Sequence, residues 1–391
     1  MLKIVLDRGE DKRIRSGHPW VFSNEIREIR GEKIPGVAVQ VCDANDRFIG
    51  TGYYNPSSLI AVRILSREQV DIDTMTFFRD RIAKALAYRH AIYPGRKSFR
   101  AVYSEGDALP GLIVDKYGDF LAVQFLTKGM DSRRDLIIAA LLDTFSPRGI
   151  VARNDAPVRI LEGLEEKVEI LYGEAPAVIL VEEHGIRIGV DIRRGQKTGH
   201  FFDQKDNHAL LKAISRDKDV LDCFCYTGSW GLHAAHFGAA SVTCIDVSER
   251  ALIHARENAE INGLAKQMRF EAVDAFDRLK SLKNEGRSFD IVVLDPPAFV
   301  KSRKTIKEAA KGYLTVNRRA MELLRKDGYL VTCSCSYHMG REMFRELLTK
   351  AARLAGREMR ILESRGQAYD HPVLLSVPET EYLKCFLLQV L

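Results

Sequence analysis

From Asp219 onward the chain alternates between short apolar runs and segments of helical character. The predicted strands are the apolar runs 220–222, 242–246, 268–274, 291–295 and 329–332. The predicted helices are 230–238, 248–262, a helix that follows the third strand and ends at about 284, and a helix from about 303 to 325. Nearly continuous apolar strands separated by helices form a parallel sheet that is covered on both faces. The sequence therefore predicts a doubly wound α/β domain whose ligands bind at the carboxyl ends of the strands.

The preceding half of the chain has a different pattern. Short β-type runs, such as 38–42 and 59–65, alternate with Gly, Asn and Pro turns and indicate a small β-barrel over residues 1–70. A helical pattern from Asp73 and alternating strands such as 120–125 indicate a central α+β domain over residues 71–180. The α/β domain then takes residues 181–391.

Composition narrows the class of protein. Of the 391 residues, 46% are hydrophobic and 29% charged, which is typical of a soluble globular protein. The cysteines cluster as Cys223/Cys225 and Cys333/Cys335 instead of spreading like disulfide partners, which favours a reducing compartment. No apolar run approaches the roughly 20 residues of a membrane span. We therefore expect a cytoplasmic protein that does not bind a membrane.

Acidic residues close four of the predicted strands, and they restrict the cofactor. These residues are Asp222, Asp246, Asp274 and Asp295. A dinucleotide needs a glycine-rich phosphate loop, whereas the loop at 222–231 has few glycines and starts with a carboxylate that would repel phosphate. S-adenosylmethionine has an ammonium, a sulfonium and a ribose diol but no phosphate, and therefore suits an acidic edge.

The acidic edge gives a candidate cofactor site. Asp246, 24 residues after Asp222, is placed to accept hydrogen bonds from the ribose hydroxyls, and Asp274 from the adenine amino group. Tyr226 and Gly228 of the intervening loop join the predicted cofactor-binding residues, together with Asp222 and Asp295.

The reactive centre is predicted at the segment Asp295-Pro296-Pro297-Ala298-Phe299. Two prolines end a central strand in a rigid turn, where Asp295 can act on a bound base and Phe299 can stack on it. Of the two cysteines near the end of the next strand, Cys335 lies farther towards the ligand edge than Cys333 and is the favoured nucleophile. A metal bound by the Cys-x-Cys pair is disfavoured by the spacing, and we assign no metal.

A thiol at this position has a defined chemical use. Carbon 5 of a pyrimidine is a poor nucleophile, but a thiolate added at carbon 6 gives it enamine character, so that it can attack a methyl group. A carboxylic acid at Asp295 could protonate N3 of cytosine and stabilise the adduct. Because a free thiol has a pKa of about 8.5, positive charge nearby is expected to favour the thiolate.

Positive charge is concentrated just after this turn. Nine Lys and Arg residues oppose three acidic ones between Lys301 and Asp327, and this excess equals the net charge of +6 of the whole chain. At helical spacing Lys304, Lys307 and Lys311 share one face, which either is simply solvated or follows a phosphate backbone. We treat these lysines as predicted substrate-binding residues.

Several motifs together resemble the ribosomal large-subunit RNA cytosine-5 methyltransferase I family along nearly the whole chain. The resemblance is carried by 17–20, 106–115, 196–204, 295–299, 334–336 and 370–372. It implies an N-terminal PUA barrel that helps to hold RNA, an S-adenosylmethionine-dependent domain that acts on 23S rRNA, and a homodimer. It also implies that Cys335 is the nucleophile and that Lys197 and Gln204 lie in a segment covering the cofactor. Ala298 stands where related enzymes often carry a second cysteine, so the residue that releases product is unassigned.

Two other readings stay open. The Asp-Pro-Pro-Ala-Phe turn also resembles that of enzymes that methylate exocyclic amines without a cysteine. A non-catalytic rRNA-binding assembly factor would bind rRNA without affinity for S-adenosylmethionine. A nicotinamide dehydrogenase is less favoured because the phosphate loop is missing.

Overall fold

The computed structural model of the protein describes residues 2–299 and 306–391. These residues divide into two compact units. The first unit comprises the described residues within 1–181, 190–202 and 369–380, and the second those within 182–189, 203–368 and 381–391. Because the chain passes repeatedly between them, neither unit is a single continuous segment.

The first unit begins with a six-stranded sheet in the order β2-β6-β5-β4-β1-β3. Its strands are β1 (Leu2–Leu6), β2 (Trp20–Phe22), β3 (Ile26–Arg30), β4 (Ala38–Cys42), β5 (Phe48–Tyr54) and β6 (Ile60–Ser66), and α1 (Asp11–Arg15) follows β1. Ile4, Val39 and Val62 are fully buried in its core. The predicted runs at 38–42 and 59–65 correspond to β4 and, within one residue at each end, β6.

A five-stranded sheet in the order β11-β10-β9-β8-β7 follows in the same unit. Its strands are β7 (Ser98–Tyr103), β8 (Leu112–Tyr117), β9 (Phe120–Phe125), β10 (Gly149–Asn154) and β11 (Lys167–Gly173). The helices of this region are α2 (Met75–Ile92), α3 (Lys128–Asp131), α4 (Arg134–Phe145) and α5 (Val158–Leu161). Helix α2 packs on α4 and β7 through buried residues such as Phe78 and Ile82. A hairpin of β12 (Ile179–Glu183) and β13 (Ile186–Val190) leads on to the second unit.

The second unit is built on a seven-stranded sheet in the order β16-β15-β14-β17-β18-β20-β19. Its strands are β14 (Asp219–Cys223), β15 (Ser241–Asp246), β16 (Met268–Ala272), β17 (Phe289–Leu294), β18 (Leu324–Ser334), β19 (Met359–Arg365) and β20 (Lys384–Val390). The strands from β14 to β18 pair in parallel, and β20 runs antiparallel to both β18 and β19. The predicted doubly wound α/β fold is confirmed.

The helices of the second unit connect the parallel strands and cover the sheet. They are α6 (Lys205–His208), α7 (Ser229–His236), α8 (Glu249–Ile261), α9 (Ala275–Asn284), α10 (Ile306–Leu323) and α11 (Arg341–Ala355). Residues of α9, α10 and α11 pack on the strand residues Leu221, Val292 and Leu330 in one buried cluster. This cluster holds the carboxyl ends of β14 and β17 in a fixed place.

One boundary differs from the prediction. The helix expected to reach residue 325 ends at Leu323, and β18 starts at Leu324 instead of Tyr329. The early part of β18 bulges, because Phe289 pairs with Leu324 while Ile291 already pairs with Tyr329. Asp327 has a left-handed φ of 61° within this bulge. The helix is followed by the strand without a loop between them, and the first residues of the strand are bulged. The apolar spacing of the sequence therefore did not show where the helix ends and the strand begins.

Candidate active site

Three of the predicted acidic residues lie close together at the carboxyl edge of the sheet in the second unit. Asp222 is completely buried at the end of β14, where its Oδ2 accepts a hydrogen bond of 2.9 Å from the backbone N–H of Gly231. Burial, and then the negative charges of Asp295 and Asp246, raise the pKa of Asp222 well above its usual value. Asp222 thus anchors the start of α7, and direct contact between this residue and a cofactor stays a prediction.

The loop after β14 has an unusual backbone. Phe224, Tyr226 and Gly228 have φ angles of 64°, 51° and 83°, all in the left-handed region. A Cβ added to Gly228 would lie 3.2 Å from Cβ of Ala255, so a side chain there would meet both strain and crowding. The backbone N–H of Tyr226 donates to Oδ2 of Asp246 at 2.9 Å, which fixes the loop against the end of β15.

Asp246 and Asp274 offer oxygens of the kind that the cofactor needs. Asp246 is half-buried, and its Oδ1 accepts from the backbone N–H of Ser248 at 2.9 Å. A carboxylate has about four acceptor positions, so Asp246 retains acceptor capacity for a ribose diol. Asp274 is exposed and caps α9, accepting from the backbone N–H of Asp277 at 3.1 Å. The donor set therefore fits S-adenosylmethionine.

Asp295 begins the turn that follows β17 and is held by two side chains. Its carboxylate accepts from Nε2 of Gln204 at 3.0 and 3.1 Å and from Nε1 of Trp230 at 3.0 Å. Burial raises the pKa of Asp295, and the Trp230 hydrogen bond opposes this rise only in part. Sequence reasoning selected Gln204 but missed Trp230, whose only signal was its place at the start of the helix after the loop.

Cys335 lies just beyond the end of β18. It is half-buried, and its Sγ is 3.9 Å from the carbonyl oxygen of Pro296 in the Asp-Pro-Pro turn. Cys333 is instead fully buried within β18, where it lies opposite Cys385 of the neighbouring strand β20, and both cysteines are free thiols. Of these two neighbouring cysteines, Cys335 is therefore the one with accessible surface beside the turn.

Lys384 is a second residue that sequence reasoning missed. It is buried at the start of β20, and its Nζ donates to the carbonyl oxygens of Ser336 at 2.7 Å and Tyr382 at 2.8 Å. Burial lowers the pKa of Lys384 to about 8, and the adjacent Cys335 thiol opposes this shift. The only sequence signal was a lysine directly before the apolar run 385–388.

Phe299 lies among other aromatic rings near the turn. Its ring centroid is 4.7 Å from that of Tyr313 and 5.9 Å from that of Phe276. The Tyr313 hydroxyl also hydrogen-bonds with the side chains of Ser334 and Ser336, at 3.1 and 3.0 Å. The aromatic contacts support the Asp-Pro-Pro turn, and stacking of Phe299 on a base stays a prediction.

The other predicted residues are distributed more widely. Lys307 and Lys311 are exposed on α10, and Lys304 lies outside the described residues. Lys197 belongs to the first unit, where its Nζ lies 4.5 Å from the ring centroid of Phe201, whereas Gln204 belongs to the second. The segment predicted to cover the cofactor is thus divided between the two units.

Two protein families match different parts of the chain. A PUA-like domain family matches residues 4–67, and a family described as S-adenosylmethionine-dependent methyltransferases matches residues 163–372. Within the described residues, no helix combines the length and apolar character needed to cross a membrane.

Similar proteins cover the whole chain. Ribosomal RNA large subunit methyltransferase I of Shewanella amazonensis is 39% identical over 387 residues, which are 98% of each chain. The protein of the same name from Pseudoalteromonas atlantica is 38% identical, over 100% of this chain and 99% of its own.

Solved structures agree in fold. A structure from Streptococcus mutans, described as an S-adenosylmethionine-dependent methyltransferase, covers 100% of both chains with a TM-score of 0.85 and 24% identity. A second methyltransferase structure, a complex with SAH, matches with a TM-score of 0.87, the same coverage and 24% identity. At this identity the two structures support the fold alone.

Proposed function

Because this chain belongs to the ribosomal RNA large subunit methyltransferase I family, we propose that it methylates carbon 5 of a cytosine in 23S rRNA through a covalent cysteine adduct. It depends on S-adenosylmethionine. The family name covers the methylation of large-subunit rRNA, and the choice of cytosine carbon 5 is our proposal.

One observation carries this proposal. The half-buried Cys335 thiol lies 3.9 Å from the carbonyl oxygen of Pro296, in the turn that begins with Asp295. An enzyme that methylates an exocyclic amine needs a carboxylate or carbonyl at this turn, but no thiol. A partly exposed thiol beside the turn is what methylation at carbon 5 requires.

Cys335 is the nucleophile in the proposed reaction. S-adenosylmethionine, when bound, supplies an electrophilic methyl group on a sulfonium. The Cys335 thiolate forms a bond to carbon 6 of the cytosine, which makes carbon 5 nucleophilic enough to accept that methyl group. A base then removes the proton from carbon 5, and the bond between carbon 6 and Sγ breaks, which restores the thiolate and the aromatic ring.

Asp295 assists the addition as an acid. Burial raises its pKa, which favours a protonated carboxyl that can give a proton to N3 of cytosine while Cys335 adds and take it back when the bond between carbon 6 and Sγ breaks. Gln204 and Trp230 hold the carboxyl in one orientation. At the acidic edge, Asp246, Asp274 and the loop carrying Tyr226 and Gly228 hold the cofactor.

The first experiment traps the adduct. With 5-fluorocytosine at the target position, carbon 5 carries no proton to lose, so the Cys335–RNA bond should persist and be visible as a protein band of raised mass on a denaturing gel. We expect Cys335→Ala to abolish both the trapped band and turnover while S-adenosylmethionine affinity is retained. Cys333→Ala is the matched control and should still form the band.

The opposite results would identify another function. A fully active Cys335→Ala enzyme would exclude the thiolate mechanism and favour exocyclic-amine methylation. Binding of rRNA without any calorimetric signal for S-adenosylmethionine would indicate an assembly factor. Mapping rRNA methyl groups in cells with and without the protein identifies the modified base directly.

The remaining expectations concern RNA contacts and cellular context. The PUA-like domain at 4–67 is proposed to help hold the rRNA, and Lys307 and Lys311, exposed on α10, to contact its phosphates. Cytoplasmic location and homodimer formation stay predictions.

A further inference from the structure

A buried cluster of three metal-ligating side chains lies in the second unit, apart from the residues assigned to the cofactor and substrate. Glu183 is at the end of β12, His208 at the end of α6, and His233 within α7. Their side chains are only 2%, 2% and 0% exposed. One potential ligand atom of each lies within 4.8 Å of those of the other two.

The protonation of His233 follows from its hydrogen bond. Its Nδ1 is 2.7 Å from the backbone carbonyl oxygen of Ser229. A carbonyl oxygen only accepts, so Nδ1 carries the hydrogen, and Nε2 of the neutral ring presents a lone pair. That Nε2 is buried and has no hydrogen-bond partner among the described residues.

A carboxylate, which is another acceptor, lies close to this lone pair. Nε2 of His233 lies 3.5 Å from Oε1 of Glu183. The same Oε1 is 2.5 Å from Nδ1 of His208, so a proton between that pair is already engaged. The buried lone pair of His233 therefore faces an acceptor instead of a donor and, within the described part of the chain, stays unsatisfied, which is costly. A cation bound to this nitrogen and to the neighbouring carboxylate would satisfy it.

We propose that Glu183, His208 and His233 bind one zinc ion. Two imidazole nitrogens and one carboxylate oxygen form a ligand set that Zn²⁺ takes in proteins, at about 2.0–2.2 Å per ligand. In a tetrahedral site two such ligands lie about 3.3–3.6 Å apart. The 3.5 Å between Nε2 of His233 and Oε1 of Glu183 fits this spacing, whereas Nδ1 of His208 and Oε1 of Glu183, now 2.5 Å apart, would separate when the ion binds. The bond from His233 Nδ1–H to a backbone carbonyl is the outer contact typical of a metal-bound histidine.

The ion would have a structural effect close to the reactive turn. The ring centroids of His208 and Trp230 are 4.6 Å apart, and Trp230 shares α7 with His233. Trp230 in turn donates to Asp295. A zinc ion that joins β12, α6 and α7 therefore fixes the helix from which the Asp295 carboxyl is oriented.

Direct metal binding tests this site. The full-length protein is treated with a chelator, dialysed and titrated with zinc chloride, with calorimetry and elemental analysis as readouts. We expect one zinc per chain and a rise in the unfolding temperature when zinc is added. Cobalt(II) in its place should give visible absorption bands more intense than those of the hydrated ion, because imidazole and carboxylate ligands replace water.

Matched variants assign the ligands. Glu183→Gln and His233→Gln should each weaken zinc binding at least about 10-fold, the usual minimum even for loss of an outer-shell contact. His254→Gln is the control, because His254 and Glu257 form an exposed pair at 3.0 Å with the same ligand types. This variant should bind zinc like the original protein.

Two results would overturn the proposal. One is the absence of stoichiometric zinc or cobalt in the original protein, which would leave a proton-sharing network as the explanation of the cluster. The other is unchanged zinc affinity in both folded ligand variants. If these variants do not fold, the cobalt spectrum of the original protein decides alone. Metal content is measured without RNA, so failure here is distinct from failure of the proposed methyl transfer.

Discussion

At the scale of single residues, Cys335 is distinguished by its neighbours. The Pro296 carbonyl oxygen lies 3.9 Å from the Cys335 sulfur. The buried Lys384, on β20, donates to the carbonyl oxygen of Ser336, the residue after Cys335. An ammonium group close to a thiol favours the thiolate. If Cys335 is the nucleophile, as proposed above, Lys384 supplies the positive charge that the sequence analysis expected but did not locate.

We predict that Lys384→Met shifts the pH dependence of methyl transfer. Loss of the ammonium group should move the rising limb of the single-turnover rate to higher pH by about one unit or more, because an adjacent opposite charge shifts a pKa by about 1–3 units. The rate measured between pH 6 and 9 tests this. Lys384→Arg keeps the charge and should restore much of the original profile. An unshifted profile with only a lower unfolding temperature would reduce Lys384 to a structural role.

A second residue-scale prediction concerns the buried ion pair of Glu162 in the first unit. Glu162 lies 2.9 Å from Arg63 and also accepts from Asn55 at 2.8 Å. Burial opposes ionisation, but Arg63 and Asn55 outweigh it, and the pKa of Glu162 lies below its usual 4.5. Glu162→Gln leaves the buried Arg63 unpaired and should lower the free energy of unfolding at pH 7 by about 3–5 kcal/mol.

The sign of the pH dependence follows from the lowered pKa. The stability that ionised Glu162 contributes is fully present above the unfolded-state pKa of 4.5 and is lost as the pH falls through the lower folded-state value. The difference between the original protein and Glu162→Gln should therefore shrink below pH 4.5 in urea-unfolding measurements. The double variant Arg63→Met/Glu162→Gln should recover part of the loss. A difference that does not vary with pH would contradict this account.

At the scale of secondary-structure elements, α10 has two distinct sides. Ala309, Tyr313 and Val316 are buried against the sheet, whereas Lys307 and Lys311 are exposed. One side of the helix therefore packs in the core of the second unit, and the other side forms a basic surface. Helical spacing was sufficient to predict that Lys307 and Lys311 share one face, because this periodicity is a local property of the sequence.

We predict that Lys307→Ala/Lys311→Ala weakens RNA binding without a change in S-adenosylmethionine affinity. If each lysine neutralises one phosphate, the slope of log affinity against log salt should fall by about 2 in total, or about 1 for each lysine. Filter binding to rRNA fragments at several salt concentrations measures this slope. Lys350→Ala, an exposed lysine on α11, is the control. Equal slopes for all three proteins would mean that the basic side of α10 is only solvated.

At the scale of the whole molecule, both units are assembled from separated segments of the chain. Residues 190–202 and 369–380 return to the first unit. Arg89 donates to the carbonyl oxygen of Asp370 at 2.7 Å, and Thr198 donates to Asp115 at 2.5 Å. Buried polar groups near the start of the chain thus depend on residues far along it.

We predict that a fragment of residues 1–181 is less stable than one of residues 1–202. The longer fragment regains the hydrogen bonds of Thr198 to Asp115 and of Arg153 to Ile192 at 3.0 Å. Hydrogen bonds to charged groups contribute about 1.5–3 kcal/mol each, so its unfolding temperature should be higher by at least about 4 °C. Thermal unfolding followed by circular dichroism tests this. Equal unfolding temperatures would show that the returning segment contributes no stability.

The sequence by itself determined the α/β fold of the second unit and the cofactor class, and it predicted the acidic edge and the choice of Cys335 over Cys333. These features depend on local periodicity and on strand ends, which neighbouring residues specify. Even there, the bulged start of β18 was not apparent, because it depends on pairing with β17.

Only the tertiary structure revealed Trp230 beside Asp295, Lys384 beside Cys335 and the Glu183–His208–His233 cluster. Each of these contacts joins residues that are distant in sequence, by 65 positions for Trp230 and Asp295. The sheet order β18-β20-β19, for example, brings Lys384 opposite Ser334. Such contacts depend on which strands pair in the sheet and on how the helices cover it. The spacing of hydrophobic residues along the chain predicts single strands and helices but not the order of the strands in the sheet.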